Sequence, residues 1–308
     1  MSISRPDPAG FLTITENYAE QGGGLYNEGD LSVSNCELSN NYCRASGGGI
    51  YSYGGSVLIT DSTISHNDAA DNIAAGMMFV GGKVVVRTSR IISNYAGVDG
   101  NGGIINLADL KLFKCEINGN IGGGIYAGGN SRTTIIKCSI NDNYGADWLG
   151  CGGIENYGDM TIRKTEIAGN ENVYQRGGGI LNFGTLRLFS SFIHHNRAED
   201  VWGPFEFSGS GGGVGNFGEM LIYGSVISDN EAGFHGGGVF NAGTRLIVEM
   251  SEISDNTADL ADWGGGGGGI QDQNGTCSVK NSVVFDNLPD NCWPDGLCGE
   301  DIATGIPE

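Results

Sequence analysis

Two patterns of apolar and small residues alternate along almost the whole chain. One is a run of glycines followed by an aliphatic residue, at Leu25, Ile50, Ile104, Ile125, Ile154, Ile180, Val214, Val239 and Ile270, with a degenerate copy in Ala74-Ala75-Gly76-Met77. The other is aliphatic-x-x-Asn. It runs from Ile14 to Asn17, recurs at Leu38, Ile64, Ile91, Ile117, Ile140, Ile167, Ile193, Ile227 and Ile253, and ends from Val284 to Asn287. Strict alternation of the two gives about ten units averaging roughly 27 residues, the signature of a repeat architecture.

Within each unit the polarity has period two. Seven and five residues before the second pattern's aliphatic anchor stand apolar pairs such as Val57 and Ile59, Leu110 and Leu112, or Leu186 and Leu188. Two before it the residue is always small: Cys36, Ser62, Ser89, Cys115, Cys138, Thr165, Ser191, Ser225, Ser251 and Ser282. Period two predicts strands, and like residues at equal phase predict that successive units stack in register. No unit carries a helical pattern. The expectation is an all-β, single-stranded right-handed parallel β-helix of about ten coils with a C-terminal cap, each coil ~4.8 Å from the last.

The recurrent Asn suits a coil corner, where its side chain bonds nearby backbone, tolerates left-handed geometry and stacks on its own kind. A second, partial row follows the glycines at Asn27, Asn106, Asn156, Asn182, Asn216 and Asn241. Both rows read as structural. The expected boundaries are 1–13 for an N-terminal cap, 14–288 for the β-helix and 289–308 for a capping tail.

The paired glycine-aliphatic and I-x-x-N motifs resemble the GGA(I/L/V) and FxxN repeats of polymorphic outer-membrane proteins and related autotransporter-like surface proteins. Ile stands here where that family has Phe, and no C-terminal membrane barrel follows. The resemblance covers roughly residues 11–288. It implies a secreted or cell-surface, adhesin-like passenger, although solenoids of this kind also host polysaccharide lyases and glycosidases.

Composition narrows the partners. The 308 residues include 56 glycines, and 36 acids against 16 bases leave a net charge of −20. That balance argues against nucleic acid, whose binders neutralise phosphates with basic patches. No apolar run reaches the ~18 residues of a membrane-spanning helix. Residues 1–20 lack both the basic and the apolar region of a signal peptide. The chain also enters its repeat half-way through a coil, as a fragment of something longer would.

The variable part of each unit is the connection from its Asn to the next glycine run. It ranges from the single residue Ile121 to the stretch 197–210, and per-repeat insertions of this kind map to one face of a solenoid, often the binding face. These connections are acidic and aromatic. A glycan needs aromatic faces for its C–H groups and carboxylates for its hydroxyls, so the candidate ligand-binding residues are Asp147, Trp148, Tyr174, Trp202, Phe205, Phe234, Asp262 and Trp263. Most remaining bases lie on outward phases of the scaffold, including Arg87, Lys111, Lys114, Lys137, Arg163, Lys164 and Arg187. They form a basic stripe away from the acidic edge.

The leading expectation is a binding module for a polysaccharide or cell-surface ligand. The alternatives are a polysaccharide-active enzyme, hydrolase before lyase, and a structural spacer rod. For hydrolysis, which needs two opposed carboxyls, the candidates are Glu199, Asp200, Glu206 and Glu231. No cofactor and no metal site is expected. Ca²⁺ is the one ion that this density of carboxylates could serve, although no known Ca²⁺-loop motif is present. His66, His194, His195 and His235 have no zinc-ligand spacing. Of the eight cysteines, Cys36, Cys115, Cys138 and Cys277 fall at core phases as free thiols, while Cys292 and Cys298 are placed for a disulfide in the tail.

Overall fold

The computed structural model describes residues 1–4, 12–69, 74–97, 100–145, 151–173, 176–199, 209–259 and 266–298. They form a parallel β-solenoid of about ten turns. All inter-strand pairing among them is parallel, and no helix occurs. Nor is any helix long and apolar enough to cross a membrane.

Each coil has three faces. The first is a short strand after the glycine run, as in Ile154–Asn156, Ile180–Asn182 and Val214–Asn216. The second follows a corner, as in Asp159–Arg163 and Thr185–Phe189. Met77–Arg87 and Ile104–Phe113 run through both faces and join them into one 20-stranded sheet. The third face is an 11-stranded sheet from Leu12–Thr15 to Val283–Phe285. Past the Asn corner, short strands form a four-stranded and a five-stranded edge, and there the connections of variable length leave the wall.

Register follows the repeat. Ile154 lies beside Ile125 and Ile180, and Ile140 beside Ile117 and Ile167. Inward positions are fully buried in one continuous core, with Ile50, Leu110, Ile162, Leu188 and Ile253 at 0 % exposure. Ser2–Ser4 adds to the second face beside Leu31–Ser34, and Cys292–Trp293 extends the first face beyond Ile270–Gln271.

The glycine run is explained by contact. In the seventh coil Gly177 has φ +70°, the left-handed region. A Cβ on Gly178 would stand 2.5 Å from the Arg197 backbone, and one on Gly179 would stand 2.6 Å from the Gly213 carbonyl oxygen and 2.9 Å from the Asn196 amide carbon. Only a bare backbone passes so close to the corner.

That corner is held by an unbroken amide ladder. Nδ2 of each Asn donates to Oδ1 of the next at 2.9 to 3.0 Å, from Asn17 through Asn41, Asn67, Asn94, Asn120, Asn143, Asn170, Asn196, Asn230, Asn256 and Asn287 to Asn291. The backbone N–H of each rung donates to the same acceptor, as Asn143 N does to Asn170 Oδ1 at 3.1 Å. The second amide proton goes to a core strand, as from Asn170 to the Ile140 carbonyl at 2.8 Å. The second Asn row forms its own chain, from Asn156 through Asn182, Asn216 and Asn241 to Asp272. A third ladder runs through the small residues, where Thr165 N–H donates to Ser191 Oγ and Ser191 N–H to Ser225 Oγ.

Among the cysteines, Cys36, Cys115 and Cys138 are buried free thiols; Cys277 is also free but only half-buried. Cys115 and Cys138 are neighbours without a bridge, and Cys115 N–H donates to Cys138 Sγ at 3.4 Å. Cys292 and Cys298 are disulfide-bonded.

Two outcomes follow. Asn170→Ala orphans two bonds donated by Asn143 and one accepted by the Ile140 carbonyl, all in the interior. At ~1–3 kcal/mol per unsatisfied buried group, urea unfolding should show a loss of about 3 kcal/mol or more. A titration of free thiols under denaturing, non-reducing conditions should count six.

Candidate functional site

Three of the sequence candidates fall on described residues: Glu199, Glu231 and Phe234. Asp147, Trp148, Tyr174, Asp200, Trp202, Phe205, Glu206, Asp262 and Trp263 lie outside them. What is described is the wall from which their connections spring.

Glu199 and Glu231 converge, but on a cation. Arg197 sits between Glu171 and Glu231 in register. Its guanidinium contacts Glu199, stands 3.4 Å from Glu231 Oε1 and 3.8 Å from Glu171 Oε1. Both candidate carboxylates are therefore engaged in an ion-pair network. Beside it a cavity of about 430 Å³ is lined by Glu231, Thr257, Ala258, Asp259, Leu288 and Pro289. Phe234 packs on His235, with ring centres 3.9 Å apart, and His235 lies parallel to Phe240. Burial pushes the His235 pKa down.

The outward row of the first face holds residues missed in the sequence. The position after the aliphatic residue points away from the core and should be polar. In successive coils it holds Ile105, Tyr126, Glu155, Leu181, Gly215, Phe240 and Gln271, and Ile105, Glu155, Leu181, Phe240 and Gln271 are all buried. Two residues on, a second outward row carries Tyr157, Phe183 and Phe217, stacked at 4.8 and 5.3 Å. The signal was present: an outward phase carrying rings and aliphatics instead of polar residues marks a covered wall.

Glu155 stands out on this wall. Its side chain is bonded by the Tyr157 hydroxyl, which donates to Oε1 at 2.9 Å. The ring of Tyr157 tilts 44° against that of Tyr126 at 5.6 Å. Desolvation pushes the Glu155 pKa up to about 7, with the Tyr157 hydrogen bond partly opposing it. Burial, with the Glu155 charge nearby, raises both tyrosine pKa values.

The cluster adjoins the fifth coil, where the connection is only Ile121 and leaves a low step beside the wall. Around the next corner, Gly128 lies under Leu107 and the Tyr126 ring, and Gly129 beside the Tyr157 carbonyl. There a cavity of about 380 Å³ is lined by Ala108, Asp109, Gly129, Asn130, Ser131, Arg132 and Asp159. Rings stacked along the rod turn their faces to one another and offer outside groups only edges. The tilted Tyr126–Tyr157 pair breaks that stacking.

Among the described residues no group of three or more His, Cys, Asp or Glu side chains has a metal-binding arrangement. His195 and His66 occupy the left-handed position before the Asn, at φ 54° and 52°.

The family model described as "Right handed beta helix region" matches residues 11–146. The tailspike protein gp49 from Pseudomonas phage LKA1 is similar over 86% of this chain and 50% of its own, at 15% identity and TM-score 0.46. The chain thus spans about half the length of that tailspike chain. The catalytic domain of a GH87 α-1,3-glucanase, in complex with tetrasaccharides, aligns over 98% of this chain and 69% of its own, at 12% identity and TM-score 0.32. No curated protein sequence matches the chain.

The Glu155 environment gives a signed prediction. Its folded pKa, about 7, lies above the ordinary value of 4.5, so the folded protein holds this proton more tightly than the unfolded chain. Stability from the neutral carboxyl is complete below about pH 4.5 and is lost as pH rises toward 7. Glu155→Gln, neutral throughout, should match wild type at pH 4.5 and exceed it at pH 8 by something on the order of 3 kcal/mol. Urea unfolding at the two pH values checks this.

Proposed function

We propose that this right-handed parallel β-helix is a secreted or cell-surface binding module that recognises a glycan along its variable edge. The observation that carries the reading is the outward wall of the first face. It combines the tilted ring pair Tyr126–Tyr157, which breaks the stack continued by Phe183 and Phe217, with a shielded carboxyl at Glu155, beside the edge from which the connections leave. Rings take the C–H faces of sugars, and a carboxyl exchanges hydrogen bonds with hydroxyls. In this reading Asp147, Trp148, Tyr174, Trp202, Phe205, Asp262 and Trp263 belong to connections that rise from the same edge and supply further contacts, with Phe234 at their base. The Cys292–Cys298 disulfide supports an oxidising compartment.

A second reading is favoured by one observation. A carboxyl with a pKa of about 7 carries its proton near neutrality, as the acid of a glycoside hydrolase must. In that case Glu155 would join Glu199, Asp200, Glu206 and Glu231 as a candidate, with Glu199 and Glu231 held beside Arg197.

Incubation on a panel of immobilised polysaccharides, with and without Ca²⁺, scoring retention and new reducing or unsaturated ends, tests both. The expected result is retention without product, weakened about tenfold, ~1.4 kcal/mol, by Tyr126→Ala, Trp148→Ala or Trp202→Ala and left nearly unchanged by Glu199→Gln. New ends that vanish in Glu155→Gln would make the protein an enzyme. The absence of both retention and product would overturn the glycan reading.

A further inference from the structure

The flank opposite the acidic edge carries an arrangement that the fold itself disfavours. At the corner between the second and third faces, three successive coils place Lys114, Lys137 and Lys164 at one phase, with φ of 53°, 56° and 52°. Their amides continue the coil-to-coil bonding, each donating at 3.0 Å to the carbonyl of Ile136, Arg163 and Phe189 in turn. Elsewhere this corner is filled by Asn35, Asp61, Thr88, Ser190, Gly224, Met250 and Asn281. Asn and Gly suit left-handed backbone, whereas a lysine is strained there. Like charges on adjacent coils, ~4.8 Å apart at the backbone, also repel.

More cations stand around them. Arg87 lies beside Phe113 in the next coil, Lys111 three residues before Lys114, and Arg163 immediately before Lys164. All six side chains are exposed and make no ion pair among the described residues. Most nearby acids are otherwise engaged: Glu116 with Arg90 at 2.8 Å, Glu166 with His194 at 3.2 Å, Asp159 with Arg187 at 2.5 Å, and Asp61 as acceptor from the Thr88 hydroxyl. Asp109, two residues before Lys111, stands exposed with no ion pair among the described residues. Rings at Phe113 and Phe189 lie under Lys114 and Arg163, with charge-to-centre distances of 5.5 and 4.0 Å.

We propose that this stripe, Arg87–Lys111–Lys114–Lys137–Arg163–Lys164, is a second binding surface, and that its ligand is an anionic linear polysaccharide of the polyuronate class lying along the rod. One cation row per coil matches a polymer that presents one carboxylate per sugar ring. The flanking rings offer apolar surface to the sugar. Screening confines the repulsion of the −20 chain to about 10 Å at ordinary ionic strength, so the local surplus of positive charge governs close contact. A polynucleotide would meet the same cations, but the rings within the stripe, Phe113 and Phe189, already lie under Lys114 and Arg163, and the exposed Tyr223 stands one coil beyond it. Bases therefore have no run of free rings along the cations on which to stack.

Affinity chromatography on immobilised polygalacturonate, dextran and oligothymidylate tests this. Wild type should be retained on polygalacturonate alone and elute as salt rises. The triple variant K114Q/K137Q/K164Q should lose at least tenfold in affinity. A control triple, K83Q/R245Q/K280Q, removes the same net charge elsewhere and should bind like wild type, with thermal unfolding confirming that both variants fold. K137Q alone, should the stripe triple not fold, should show an intermediate loss. Absence of retention, equal loss in the two triples, an unaffected stripe variant, or tighter binding to oligothymidylate would each overturn the proposal. The outcome is independent of the variable-edge reading, whose variants leave this flank untouched.

Discussion

Everything in this solenoid is arranged around an amide chain that cannot be interrupted. From Asn41 to Asn287 every Asn of the main ladder is buried, so each polar atom must find a partner inside the coil stack. The solution uses the backbone N–H, both amide protons and the carbonyl oxygen of every rung in the same way. That fixes the corner geometry to within a few tenths of an ångström from coil to coil. The residue before each Asn must be left-handed, and the glycine run must pass over the next rung without side chains.

A constraint repeated so strictly pushes variation elsewhere. The distance from glycine run to Asn is nearly constant, because it is measured out by two strands and a corner that must all stay in register. The path from Asn back to glycine has no ladder to obey beyond its first two residues, so it is free to lengthen. The wall beneath it then changes character: Tyr26 in the first coil is 47% exposed, whereas Phe240 in the ninth is fully buried. Among the described residues, the outer wall in the later coils is a second packing surface, with Phe217, His235 and Phe240 in ring contact.

This explains which parts could be read from sequence. Fold, coil count and both Asn rows are consequences of local periodicity, which restates each position coil after coil, whereas the Cys292–Cys298 disulfide lies in the tail where the repeat has stopped. The site does not repeat. Glu155 is legible only as a departure: one carboxyl in a row where neighbours are Tyr126 and Leu181. Its shifted pKa depends on Tyr157 and on cover that no period encodes. Glu199 and Glu231 look like free acids in the sequence, yet register sets Arg197 between Glu171 and Glu231 with Glu199 two residues along. Pairing between coils turned candidate catalysts into an ion-pair network, and that pairing is visible only once the coils are aligned.

The same one-dimensional logic bears on charge. Because each coil touches only its neighbours, a row can change chemistry without disturbing the core, and a row that keeps an unfavourable chemistry over several coils is not explained by the core. The hydrophobic interior is indifferent to whether the second corner carries Asn35, Gly224 or Lys137, since all leave the same backbone bonds intact. Acids gathered on the variable edge and bases on the opposite flank are therefore independent choices laid on one scaffold. A rod whose stability is settled by amides and aliphatics inside is left free to present two surfaces of opposite sign outside.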